Sequence, residues 1–133
     1  ARIIGKVARL YFVAAFKESM REKPTPKHYA LITDEVYLGL WKRRAATLKK
    51  EMGLKKSDSM RDFQSIIALN YESLAESYSG YTLEEKQDIE FDEAKKIVRT
   101  ASEFVGVQAD QMSKEMGRDI ATDRPLLNDK NIQ

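Results

Sequence analysis

The chain has 133 residues, with 23 Lys and Arg against 21 Asp and Glu, a formal net charge of +2, one His and no Cys. That length suits one domain able to bury its own core, and 42% hydrophobic with 33% charged residues argues against disorder. Without cysteine there are no disulfides, thiolate metal sites or cysteine nucleophiles, and a single His leaves no His-rich metal centre.

Helical periodicity predicts a first helix over residues 2–22. Ile3, Val7, Leu10 and Ala14 recur on one face, with Ile4, Tyr11 and Ala15 beside them and Phe12, Val13 and Phe16 widening the apolar surface. So apolar a helix demands cover on more than one side, either at the centre of the fold or in a homo-oligomer interface. Lys6 and Arg9 interrupt the stretch, which is too short to span a membrane and lacks the cleavage site of a signal peptide. The expected location is cytoplasmic, with no membrane among the partners.

Lys23-Pro24-Thr25-Pro26 opens a Pro-containing linker over residues 23–33, because each Pro restricts the residue before it to extended geometry. Thr33, Asp34 and Glu35 then offer an N-cap and first-turn acids for a second helix over 34–43, which buries Leu38, Leu40 and Trp41. A third helix from Ala45 ends at Gly53. Ser59 with Asp62 resembles a capping box for a long helix whose apolar face is Met60, Phe63, Ile67, Tyr71, Leu74 and Tyr78, ending near Gly80. Thr82 with Glu85 opens a fifth helix with Ala94, Ile97, Val98, Ala101, Phe104 and Val105 inside. Gly106 breaks it, and Met112 and Met116 mark a short sixth helix closed by Gly117. Residues 118–133 lack periodicity and read as an extended tail. The expected fold is all-α, a single domain over 1–133 forming a compact bundle of about five to six helices.

Little in the chain supports catalysis. The run at 84–93 holds six carboxylates in ten residues, and on one helix Asp88 and Asp92 would share a face, as would Glu85 and Asp88. Mg²⁺ needs convergent ligands from several elements, so a solvated face is the better reading. His28 has no recognisable nucleophile or orienting partner and reads as structural or exposed. No nucleophile elbow and no glycine-rich phosphate loop occurs. The expectation is a non-enzyme with no cofactor and no metal.

The basic residues carry more. Lys42, Arg43, Arg44, Lys49, Lys50, Lys55 and Lys56 put seven positive charges in fifteen residues, with Glu51 the sole acid among them. They flank the turn between the second and third helices, where helix–turn–helix proteins hold phosphates, and form the candidate nucleic-acid-binding set. Trp41 beside them offers a stacking surface, but its place in an apolar stripe assigns it to the core. The charge is also divided along the chain: residues 1–56 carry +9 and residues 57–133 carry −7. Such asymmetry suits nucleic-acid contact, or attraction between halves within one fold or across a dimer.

Four stretches, VYLGLW at 36–41, GLKK at 53–56, MRDF at 60–63 and EFDEAKKIVRTASEFVG at 90–106, lead to a family. From Tyr37 to Ile132 the chain resembles the C-terminal region of the DNA-damage-inducible protein D family, related to phage antirepressors of the BRO and KilA-N group. Asp62 matches the family's Asp, while Phe63 and Glu90 stand where the family usually has His. MSKEMGRDIATDRPLL at 112–127 is similar to the antirepressor ending. The N-terminal DNA-binding module of such proteins is not visible here, which suits a stand-alone version or a fragment. The resemblance implies a regulatory helical region that binds partner proteins or self-associates. The expected function is therefore a non-enzymatic phage or mobile-element regulator of DNA metabolism or transcription. Its partners would be DNA, a host DNA-processing protein or a repressor. The alternatives are an inhibitor or antirepressor that captures a host protein without touching nucleic acid, and a structural subunit of a larger complex.

Overall fold

The computed structural model describes residues 2–126, and the expected tail beyond 126 lies outside the described residues. Five helices account for most of the chain: α1 (Arg2–Ser19), α2 (Pro26–Trp41), α3 (Ala45–Glu51), α4 (Ile66–Glu84) and α5 (Phe91–Met116). A 3₁₀ turn at Met60–Phe63 precedes α4, and β1 (Arg118–Asp119) pairs antiparallel with β2 (Arg124–Pro125). The fold is all-α. Among the described residues no helix is long and apolar enough to cross a membrane.

Four helices alternate in direction. Gly5 lies beside Ser73 and Phe12 beside Gly80, so α1 and α4 run the same way. Glu35 pairs with Arg99 and Gly39 abuts Ser102, so α2 and α5 also run together. Ser79 meets Ser102 while Tyr78 meets Phe104, which sets α4 against α5. Phe12, Phe16, Ile32, Val36, Leu48, Leu83 and Val98 fill the interior.

Local chemistry explains where the boundaries differ from expectation. The second helix starts at Pro26, within the expected linker, rather than at Asp34. Thr25 is its N-cap: the Thr25 hydroxyl accepts from the His28 N–H, and His28 Nδ1 accepts from the Thr25 N–H at 3.0 Å. His28 thus stands where a capping box normally has Glu, and Pro26 sits where a missing N–H is harmless. Ser59 opens only the 3₁₀ turn, while Ser65 caps α4 by accepting from the Ala68 N–H. Thr82 is not a cap, since its hydroxyl donates back to the Tyr78 and Ser79 carbonyls within α4.

Gly106 does not break α5, which is one helix of 26 residues; the expected sixth helix is its last turns. A Cβ on Gly106 would sit 2.6 Å from the Gly39 carbonyl oxygen, and one on Gly39 would sit 2.6 Å from Ser102 Cβ. These two glycines let α2 and α5 approach at backbone distance. Gly53, at φ +73, ends α3 as expected, and Gly117, at φ +69, ends α5. Residues 118–126 are not an extended tail. They turn back as a hairpin with Ile120 and Ala121 buried, held by Gln64 donating to the Ala121 carbonyl and by the Ile120 N–H donating to Ser113 Oγ.

Two predicted faces are redistributed. In α1 the inner face is Ala8, Phe12, Ala15, Phe16 and Ser19, whereas Ile3, Ile4, Val7 and Leu10 are exposed. In α4 the inner face carries Ala68, Glu72, Ala75, Glu76, Ser79 and Leu83, while Leu74 and Tyr78 point outward, and Phe63 is exposed as well. Small side chains at 75, 79 and 80 let α1 and α5 close onto α4. The two glutamates serve a polar network that belongs to the candidate site.

Candidate nucleic-acid interface

The seven basic residues singled out from the sequence separate into groups. Lys42 caps α2 in left-handed geometry at φ 65 and is exposed. Arg43 turns inward: its Nε donates to the Trp41 carbonyl, NH1 to Glu51, and NH1 and NH2 together to Asp119 at 2.8 and 3.0 Å. Burial pushes the Asp119 carboxyl up, but the Arg43 hydrogen bonds, the Thr122 hydroxyl and the guanidinium charge outweigh it and hold the carboxyl below its ordinary range. Arg43 is therefore a strut between the α2–α3 turn and the hairpin. Arg44 is exposed and lies 3.7 Å from Asp34. Lys50, Lys55 and Lys56 are exposed on α3 and the loop behind it, and Lys49 Nζ donates to the Lys56 carbonyl at 3.0 Å, drawing that loop against α3.

Lys49 also lines a cavity of about 400 Å³ that the sequence did not reveal. Lys6 and Arg9 of α1 and Arg61 of the 3₁₀ turn join it there, with Thr33, Tyr37, Ser59 and Ser73 supplying hydroxyls and Met60 and Leu69 an apolar wall. Cations from three separated segments thus meet around one opening.

Behind the cavity lies the polar network of α4. Glu72 and Glu76 are fully buried one turn apart. Trp41 Nε1 donates to Glu72 at 3.0 Å, Arg61 Nε lies 3.5 Å from Glu72, and Arg61 NH2 and Arg9 NH1 both donate to Glu76, at 3.1 and 3.2 Å. Arg61 also donates to the Tyr37 hydroxyl from Nε and NH2, at 3.3 and 3.4 Å. Burial pushes the Glu72 carboxyl up to about 7 against the pull of Arg61 and Trp41. Burial, with Glu72 second, pushes the Tyr37 phenol up to about 12. Burial alone would weaken the Arg61 proton, but Tyr37, Glu76 and Glu72 outweigh it, and the guanidinium stays charged. Its charge and orientation are fixed before any ligand arrives.

The acidic run at 84–93 is split among elements. Glu84 ends α4, Asp88 sits in the connecting loop at φ 56, and Asp92 lies in the first turn of α5 beside Lys95 at 3.4 Å. Asp88 and Asp92 therefore do not share a helix face. Among the described residues no three His, Cys, Asp or Glu side chains are grouped to hold a metal ion.

Lys6, Arg9 and Arg61 escaped sequence reading because each is isolated among apolar or acidic neighbours. Glu72 and Glu76, two acids one turn apart, carry no mark of burial in the sequence, because the apolar period of that helix points to a different face. Carboxylates inside a core require cations facing them. No family model matches the chain, and neither a curated protein nor a solved structure matches it.

Proposed function

We propose that this chain is a non-enzymatic regulator of DNA metabolism or transcription that holds nucleic-acid phosphates on the face built from the first turns of α1, α3 and the loop at 53–61. The observation that carries the reading is the convergence of Lys6, Arg9, Lys49 and Arg61 on one cavity, with Lys50, Lys55 and Lys56 exposed on α3 and the loop that follows it. Phosphate contacts by Lys and Arg supply affinity without sequence information. The resemblance of residues 37–132 to the DNA-damage-inducible protein D family and to phage antirepressors supports the regulatory, mobile-element part of the reading.

Duplex and single-stranded DNA titrations at graded salt test it. Affinity should fall steeply between about 50 and 200 mM salt, with a logarithmic slope of about 0.9 for each phosphate contacted on duplex DNA. Replacing Lys49, Lys50, Lys55 and Lys56 with Ala should flatten that slope. Absence of binding at the lowest salt would overturn the reading.

A second reading, an antirepressor or inhibitor that captures a host protein directly, is supported by the exposed stripe of Ile3, Val7 and Leu10 on α1. A stripe of this kind also suits self-association into a homo-oligomer. Purification of bound host proteins with and without nuclease separates the readings: partners that survive nuclease favour direct capture, and partners lost with it favour DNA bridging.

A further inference from the structure

We infer that the cavity between α1, α3 and the 3₁₀ turn receives a phosphomonoester, either the 5′-phosphate end of a nucleic acid or a free nucleoside monophosphate. This deepens the nucleic-acid reading, on which its DNA form rests, by naming the group that enters the cavity.

Charge balance comes first. Four cations, Lys6, Arg9, Lys49 and Arg61, line the cavity, and the carboxylates paired with them are Glu72 and Glu76 behind it. Because burial pushes the Glu72 carboxyl up to about 7, these two groups offset at most two of the four positive charges, and the excess is two or more. A phosphomonoester carries about −1.5 to −2 at pH 7 and matches that excess, whereas an internal phosphodiester carries one negative charge per phosphate.

Preorganisation comes second. The Arg61 side chain is only 22% exposed and is gripped through Nε and NH2 by Tyr37, Glu72 and Glu76. No hydrogen bond of its NH1 is found among the described residues, and the Lys6 ammonium has no ion pair among them. A guanidinium already oriented and partly withdrawn from water binds an anion more strongly than a free surface lysine.

Size and lining come third. About 400 Å³ is within the range of small-molecule sites and holds a phosphate with its sugar and base. Met60 and Leu69 give the base an apolar wall, and the hydroxyls of exposed Ser59 and buried Ser73 are additional donors in the lining. The source of the phosphate, polymer end or free nucleotide, does not alter this chemistry.

The test is fluorescence anisotropy and calorimetry on the full chain at about 150 mM salt, where weak surface contacts are screened. The probes are one oligonucleotide with a 5′-phosphate, the same oligonucleotide with a 5′-hydroxyl, and adenosine monophosphate. The 5′-phosphate should improve affinity about tenfold or more, as a charge-assisted contact would. Lys6→Ala with Lys49→Ala should abolish the preference while shifting the thermal melt only slightly, since neither residue is part of the core and the one hydrogen bond lost, from Lys49 to the Lys56 carbonyl, is exposed. Equal affinity for both oligonucleotides without nucleotide binding, or a preference untouched by the double variant, would overturn the inference. The salt-dependent DNA binding proposed above would stand in that case. Nucleotide binding without binding of either oligonucleotide would support the monoester site and overturn the DNA reading instead.

Discussion

Arg43 donates to the Trp41 carbonyl, to Glu51 and, through both terminal nitrogens, to Asp119, so its charge is engaged within the fold. Its neighbour Lys42 extends into solvent. Arg43→Ala should lower stability by about 2 kcal/mol, since it removes a bidentate charge-assisted pair that is only partly screened. Lys42→Gly should be neutral or mildly stabilising, by about 1 kcal/mol at most, because glycine relieves the left-handed cap. Chemical denaturation of the two variants measures the contrast, and equal losses would contradict it. In the sequence the two residues are indistinguishable members of a basic run. What separates them is Asp119, whose position 76 residues away only the folded chain brings into contact. Arg61 was hidden for the same reason, its partners Glu72 and Glu76 being recognisable as buried only after α4 docks.

Helix class was legible because cap residues and apolar spacing are local, and helix boundaries were not where a tertiary contact overrides local preference. Glycine inside a helix costs about 1 kcal/mol relative to alanine, which made Gly106 look like a breaker. The contact with the Gly39 carbonyl reverses that logic, since any larger residue must push α2 away. Gly106→Ala should therefore destabilise by about 1–3 kcal/mol, despite alanine's better helix propensity. A thermal melt unchanged or raised by Gly106→Ala would show that α2 and α5 are not in backbone contact. At the other end of α2, His28→Ala should cost about 1 kcal/mol by opening the box with Thr25, with helicity lost only locally. Circular dichroism with denaturant titration reads that loss, and an unchanged midpoint would remove His28 from the cap. The apolar period assigned to α4 misjudged its inner face because that face pairs small side chains with glutamates rather than presenting a leucine stripe.

Across the whole molecule, two carboxyl groups set opposite pH limits on stability. Glu72 has its carboxyl pushed up to about 7 by burial, so its contribution is complete below the ordinary carboxyl range and is lost as pH rises through about 7. Asp119 is held low, so its contribution is complete above its ordinary value and is lost as pH falls through the lowered one. Urea unfolding followed from about pH 3 to 9 should show a maximum at about pH 4 to 5, and Glu72→Gln should remove the decline between there and about pH 7. A stability that climbs steadily to pH 8 in the unaltered chain would contradict this account. The alternating helix directions have a consequence for synthesis on the ribosome. The inner face of α1, with Phe12 and Phe16, packs along α4, and Ser19 is tied by its carbonyl to Ile89 beyond that helix. At about 5–20 residues per second, the stretch from Ser19 to Glu84 takes about 3 to 13 s to emerge. For that interval the side of α1 that will meet α4 is bare together with the Ile3, Val7 and Leu10 stripe that stays uncovered, although Tyr29 can already reach Phe16. The nascent chain is then a better target for a chaperone than the finished protein is.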